Sequence, residues 1–306
     1  MNIVLTPEGP LDVGATLARY RIWGEDPSNL VDDAAFRRVL RLDGRLVPYE
    51  VRWSGSVDEP RLAVRAPGAR GARATGALVR EVRAVFGLDF DLPGFYRMAK
   101  GDRVLGPLVE RLHGLRPTLA PAALEMLVHA IAAQQVNLTF AFTLRARLVR
   151  RFGTPVPLDG VTVWAFPEAG VLAGAPVSEL RAMQFSTGKA ESIRGVARAI
   201  AEGAIDPATL DGAANGAVIE SLTALRGLGR WTADWFLARC LGRGDVCPAG
   251  DLAVRKAFDR HYGRRRVLTE QAIRRRAAAW GPYQNLAVHY LLAGLRLDRA
   301  AAGGGT

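Results

Sequence analysis

The stretch that constrains this chain most is Leu222–Cys240, LTALRGLGRWTADWFLARC. Two runs of helical spacing flank a short turn, Arg226–Arg230, in which Gly227 and Gly229 bracket Leu228. Glycine admits positive φ and close backbone approach, so the two helices can fold against each other while Leu228 anchors the turn in the core. The second helix starts directly after the turn, and its first N–H groups lack intrahelical acceptors. Together with the positive end of the helix dipole they make a site for an anion such as a DNA phosphate. Gly-Leu-Gly alone equally suits a plain αα-hairpin. The longer pattern Leu225-x-Gly227-Leu228-Gly229-x-x-Thr232-Ala233 is far more specific.

A second stretch is Cys247–Phe258, CPAGDLAVRKAF, whose Asp251 lies 22 residues past Gly229. Pro248 and Gly250 form a loop, and Asp251 opens a helix with Leu252, Val254 and Phe258 as apolar positions. Aspartate is among the best helix N-caps, and capping alone would account for it. Capping and chemistry are compatible here, because the start of a helix suits a negative charge. A carboxylate fixed there can stabilise an oxocarbenium-like sugar as a glycosidic bond breaks, and can orient the attacking water. The intervening residues allow one helix and one loop, so Asp251 can return to the glycine turn.

The rest of the chain divides by period. Residues 36–53 alternate as two strands around Asp43-Gly44, a pair suited to a tight hairpin turn. A further strand is expected near Leu62–Arg65, then a helix carrying Leu78, Val82, Val85 and Phe86. Residues 1–92 therefore read as a small α+β domain. Residues 93–300 read as an all-α core of two helical subdomains, and the glycine-rich end, 301–306, as a disordered tail.

Charge indicates the partner. Residues 1–112 carry 17 Lys and Arg against 15 Asp and Glu, whereas residues 113–306 carry 24 against 15. The excess lies in the helical part, in clusters such as Arg145–Arg151, Arg264–Arg266 and Arg274–Arg276. Such a surface fits phosphate binding, although an arginine-rich solvated surface would look the same. No apolar run is long enough to cross a bilayer, and the opening MNIVLTPEGPLD does not read as a secretory leader. The two cysteines, Cys240 and Cys247, are too few for a disulfide framework. A cytoplasmic, monomeric protein is expected.

The glycine turn at Leu225–Ala233 and the loop Pro248–Asp251 resemble those of the helix–hairpin–helix DNA glycosylase superfamily, most closely the 3-methyladenine DNA glycosylase II (AlkA) type. The opening GPLDVGATLARY is similar too, as are Ala130–Val136 (AIAAQQV), FPEAGVLAGAPVSELRAM and Lys189-Ala190. The resemblance implies an enzyme that flips a damaged nucleotide out of double-stranded DNA and excises alkylated bases, methylated purines above all. It implies Asp251 as the catalytic carboxylate, Gln135 as the plug that fills the vacated stack, and a base pocket of Trp231, Trp235 and Leu292. It implies phosphate contacts from Gly227, Leu228, Gly229, Arg230 and Thr232. It also implies a monovalent cation, sodium or potassium, on the carbonyls of Thr223, Leu225 and Gly227.

The chain departs from that pattern in places. Leu292 stands where an aromatic residue is common, Asn137 replaces a small residue, and Phe185–Gly188 is unusual. Relatives with lyase activity place a nucleophilic lysine where this chain has Trp231, so hydrolysis without strand cleavage is expected. Two cysteines cannot hold an iron–sulfur cluster. None of the four histidines has metal-ligand spacing with another His or Cys, so no catalytic metal is expected. The rival readings are a non-catalytic DNA-binding or damage-sensing module, a lyase for oxidised purines, and a glycosylase with a shifted base spectrum.

Overall fold

The computed structural model describes residues 1–263 and 267–303. Arg264–Arg266, part of the basic clusters, and residues 304–306 of the expected tail lie outside the described residues. Residues 301–303 correct the remainder of that tail: they continue the last helix, Gln284–Gly303.

Five antiparallel strands open the chain: β1 (Asn2–Leu5), β2 (Leu30–Val31), β3 (Ala35–Leu42), β4 (Arg45–Gly55) and β5 (Pro60–Arg65), in spatial order β1-β5-β4-β3-β2. The β3–β4 hairpin closes at Leu42 opposite Arg45, with Asp43 and Gly44 both at positive φ (50° and 73°). This is the geometry that a two-residue Asp-Gly turn favours. One sheet face buries Phe36, Tyr49, Val51, Leu62 and Val64 with Leu78, Val82 and Phe86, from the helix Gly71–Val85 and its end. A second, larger cluster runs from Leu92 to Ala293 through the helical part.

Two features depart from the sequence reading. The helical part is interrupted by a hairpin, β6 (Thr154–Leu158) and β7 (Val161–Ala165), which turns on Asp159-Gly160. Leu158, Val163 and Ala165 pack on Val39, from the outer face of β3. The second departure is Arg38, which shares the buried face of β3 with Phe36 and Leu40 and is only 5% exposed. Its guanidinium donates to Asn29 Oδ1 (2.7 Å), Glu81 Oε1 (2.9 Å) and Glu125 Oε1 (3.1 Å). Arg145 joins from the next helix, donating to Glu125 (2.7 Å) and Asp26 (3.1 Å). Burial would raise the Glu125 carboxyl, but Arg38 and Arg145 outweigh it and bring the group down to about 2. The network ties the sheet to the helix Ala123–Ala133, and a buried charge left unpaired would be costly.

Arg116 forms a second tie. It is fully buried and donates to the carbonyls of Glu8, Pro10, Gly87, Leu88 and Phe90. One side chain thus joins the end of the sheet helix, the N-terminal arm and the first helical-core segment.

Candidate active site

The glycine turn connects the helices Asn215–Thr223 and Arg230–Arg239. Gly227 has φ +84°, and a Cβ there would sit 2.0 Å from Ser192 Oγ. Both facts require glycine. Leu228 is buried (5% exposed) and anchors the turn, while Gly229 and Arg230 are exposed. Gly229 is the N-cap and provides no side-chain cap. Among the described residues, the amides of Arg230, Trp231 and Thr232 have no acceptor. Free helix-start amides of this kind can donate to an anion.

Thr232 is placed differently from its expected phosphate-facing role. Its side chain is 1% exposed and its hydroxyl is buried, one helical turn before Phe236 on the core face. Only its backbone amide can serve a phosphate. Arg230 is held by Asp234 (2.8 Å), which also accepts from Arg274 (2.7 Å).

The helix Leu252–Tyr262 begins at Asp251, whose Oδ1 accepts from the amides of Ala253 (2.8 Å) and Val254 (3.1 Å). Its Oδ2 accepts from Trp231 Nε1 (2.8 Å) and Trp235 Nε1 (3.1 Å). The two tryptophans are four residues apart and share a helix face; both indole N–H groups converge on one oxygen. The sequence reading assigned these rings a stacking surface. Their N–H edges have a further task, to fix the carboxylate beside the turn. Trp235 is buried and meets His289 edge-on, with centroids 5.9 Å apart and planes at 83°. Leu292 is half-buried one turn beyond His289 on the last helix.

Gln135 is exposed, with φ +56°. A left-handed non-glycine residue is uncommon and often marks a functional site. It follows the helix Ala123–Ala133 and precedes Asn137, whose side chain caps the next helix, Leu138–Phe152. Two residues of the matching segments, to which the sequence assigned no role, hold this loop. Gln134 Nε2 donates to Gly227 O (2.9 Å), which links the loop to the glycine turn. Lys189 Nζ donates to Ala132 O (2.9 Å) at the helix C-terminus, and burial lowers its ammonium below the ordinary lysine range. A cation suits that end of a helix dipole. Within the unusual segment Phe185–Gly188, Phe185 is buried and Ser186 caps the helix that carries Lys189.

The carbonyls proposed to hold a cation are hard oxygen donors of the kind an alkali ion takes. Leu225 O already accepts from Leu228 N (3.1 Å) and Gly227 O from Gln134. Each carbonyl keeps a second lone pair, so neither bond excludes an ion.

A glycine turn with a free helix start, facing a capped carboxylate across one helix, defines a helix–hairpin–helix protein with a carboxylate site. Residues 128–282 match the family described as HhH-GPD superfamily base excision DNA repair protein, and the chain belongs to that family. A DNA-3-methyladenine glycosylase of Bacillus subtilis (strain 168) is 30% identical over 214 residues, 70% of this chain and 71% of the relative. DNA-3-methyladenine glycosylase 2 of Escherichia coli (strain K12) is 30% identical over 202 residues, 66% and 67% of the two chains. The solved 3-methyladenine DNA-glycosylase from Archaeoglobus fulgidus superposes with a TM-score of 0.86 at 27% identity, covering 96% of this chain and 98% of that one. Among the described residues, no helix is long and apolar enough to cross a membrane.

Proposed function

We propose that this protein is a monofunctional DNA glycosylase that excises alkylated bases, methylated purines above all, from double-stranded DNA in base excision repair. The observation that carries this reading is the fixing of Asp251 through both oxygens, two indole donors on one and two helix amides on the other. Preorganised charge of this kind stabilises positive charge developing on a sugar without reorganisation during the reaction. The free amides at residues 230–232 hold a phosphate of the bound strand. Gln135 fills the space left by the flipped nucleotide. A monovalent cation on the carbonyls of Thr223, Leu225 and Gly227 reinforces the positive end of the turn toward that phosphate.

The protein acts as a monomer on its duplex, in the cytoplasm where two free thiols stay reduced. With Trp231 in the position of the lyase nucleophile, it releases the base and leaves the strand intact. Incubation with methylated duplex DNA, followed by chromatography of released bases and borohydride trapping, tests this. Free methylpurines without a trapped adduct support the reading. A trapped adduct, or no released base, contradicts it.

A further inference from the structure

Gln134, at φ −59° and ψ 128°, and Gln135, at φ +56°, have the dihedrals of the central pair of a type II turn. Glycine or asparagine is usual at the second of these positions, so the surroundings of Gln135 hold it there against its own preference. The helix Ala123–Ala133 ends just before this pair, and Ala132 is fully buried. Among the described residues no backbone amide donates to the Ala132 carbonyl; the Lys189 ammonium does, at 2.9 Å. A buried carbonyl needs a partner. Without the lysine, the amide of Val136, four residues on, would satisfy it by continuing the α-helix. That bond requires helical dihedrals at Gln134 and Gln135 and removes Gln135 from the left-handed region.

Lys189 stands on the helix Thr187–Ala201, whose next residues meet the glycine turn. Ser192 packs so closely on Gly227 that a Cβ there would lie 2.0 Å from its Oγ. Glu191 pairs with Arg226 (3.2 Å), an exposed contact of small energetic weight. Gln134 Nε2 donates to Gly227 O (2.9 Å) and joins the two loops directly. One helix therefore holds both the loop that carries Gln135 and the turn that carries the free amides.

We infer that Lys189 is a positioning residue for base flipping. By occupying the Ala132 carbonyl it stops the helix and keeps Gln135 presented to the DNA stack. Through its own helix it sets that plug in register with the strand held at the glycine turn. The inference rests on the reading of Gln135 as the plug, and Lys189 acts through Gln135.

The test is single-turnover release of 7-methylguanine from duplex DNA at saturating enzyme. It compares wild type, Lys189→Met, Lys189→Arg, Gln135→Ala and the double variant Lys189→Met/Gln135→Ala. Loss of a hydrogen bond from a charged donor lowers the Lys189→Met rate about tenfold or more, and Lys189→Arg, which keeps a cationic donor, recovers most of it. Because the two residues act as one device, the double variant is no slower than the slower single variant. Multiplied losses in the double variant, an equal loss in Lys189→Arg, or a wild-type rate in Lys189→Met overturn the inference alone. A wild-type rate in Gln135→Ala overturns the plug reading itself. If Lys189→Met does not fold, Gln134→Met cuts the tie to Gly227 from another element; the same non-additivity with Gln135→Ala is expected, and multiplied losses overturn the inference. If wild type releases no base, the glycosylase reading fails separately. Fluorescence of 2-aminopurine placed beside an abasic analogue then reports insertion, with a weaker rise expected in Lys189→Met; a wild-type rise overturns the inference.

Discussion

Trp231→Phe isolates the hydrogen bonding around Asp251. The substitution keeps an aromatic ring and removes one N–H, the donor 2.8 Å from Oδ2. The carboxylate then retains the longer 3.1 Å bond from Trp235 and its two backbone bonds. A hydrogen bond to a charged group contributes about 1.5–3 kcal/mol. If that contribution is realised at the transition state, the rate falls roughly 10- to 150-fold. Trp231 is half-buried, so its truncation costs less packing than that of the buried Trp235, and the melting temperature should drop by only a few degrees. The assay is single-turnover release of 7-methylguanine at saturating enzyme, which removes binding from the rate. Affinity for a duplex with an abasic analogue should stay within about twofold, given that only one interaction is altered. A folded Trp231→Phe protein that keeps the wild-type single-turnover rate would refute the idea that the indole donors orient the carboxylate.

Three further outcomes follow from the same structure. Glu125 lies at about 2 in the folded protein against an ordinary 4.5, so its contribution is complete above pH 4.5 and is lost as pH falls through about 2. Glu125→Gln should flatten that part of the acid-unfolding profile followed by circular dichroism. Gly227→Ala puts a Cβ 2.0 Å from Ser192 Oγ at φ +84°; left-handed strain alone costs roughly 1–2 kcal/mol. Affinity for undamaged duplex, read by fluorescence anisotropy, should fall while Gly229→Ala, with nothing within 4 Å, is tolerated better. Arg116→Met removes the guanidinium from five backbone carbonyls; those of Gly87 and Phe90 keep a backbone donor, and those of Glu8, Pro10 and Leu88 lose theirs. At about 1–3 kcal/mol for a buried unsatisfied group, denaturant titration should show a loss of at least ~3 kcal/mol.

Local signals carried far in this chain. Asp43-Gly44 specified its hairpin, and the apolar spacing after Asp251 specified the helix Leu252–Tyr262 and its cap. The convergence of Trp231 and Trp235 followed from helix geometry, but their use as donors did not. It depends on Asp251 returning across a loop, and indole spacing carries no mark of that. The β6–β7 hairpin escaped notice although Asp159-Gly160 repeats the earlier turn signal, because Pro155 and Pro157 interrupt a short, mostly exposed strand. Arg38 and Arg116 look solvated in sequence because their partners are remote: Glu125 is 87 positions from Arg38, and Pro10 is 106 from Arg116. Thr232 looked available because a polar residue in a turn motif suggests exposure, yet the helix phase turns its hydroxyl toward the core.

The most direct test of the account is the amount of base released from methylated duplex DNA by wild type and by Asp251→Asn. Asparagine keeps the shape, and its carbonyl oxygen can still accept from the helix amides, but the negative charge is gone. Methylpurine release by wild type is expected, with a loss of several orders of magnitude in Asp251→Asn and duplex binding retained. Equal release by the two proteins would contradict it.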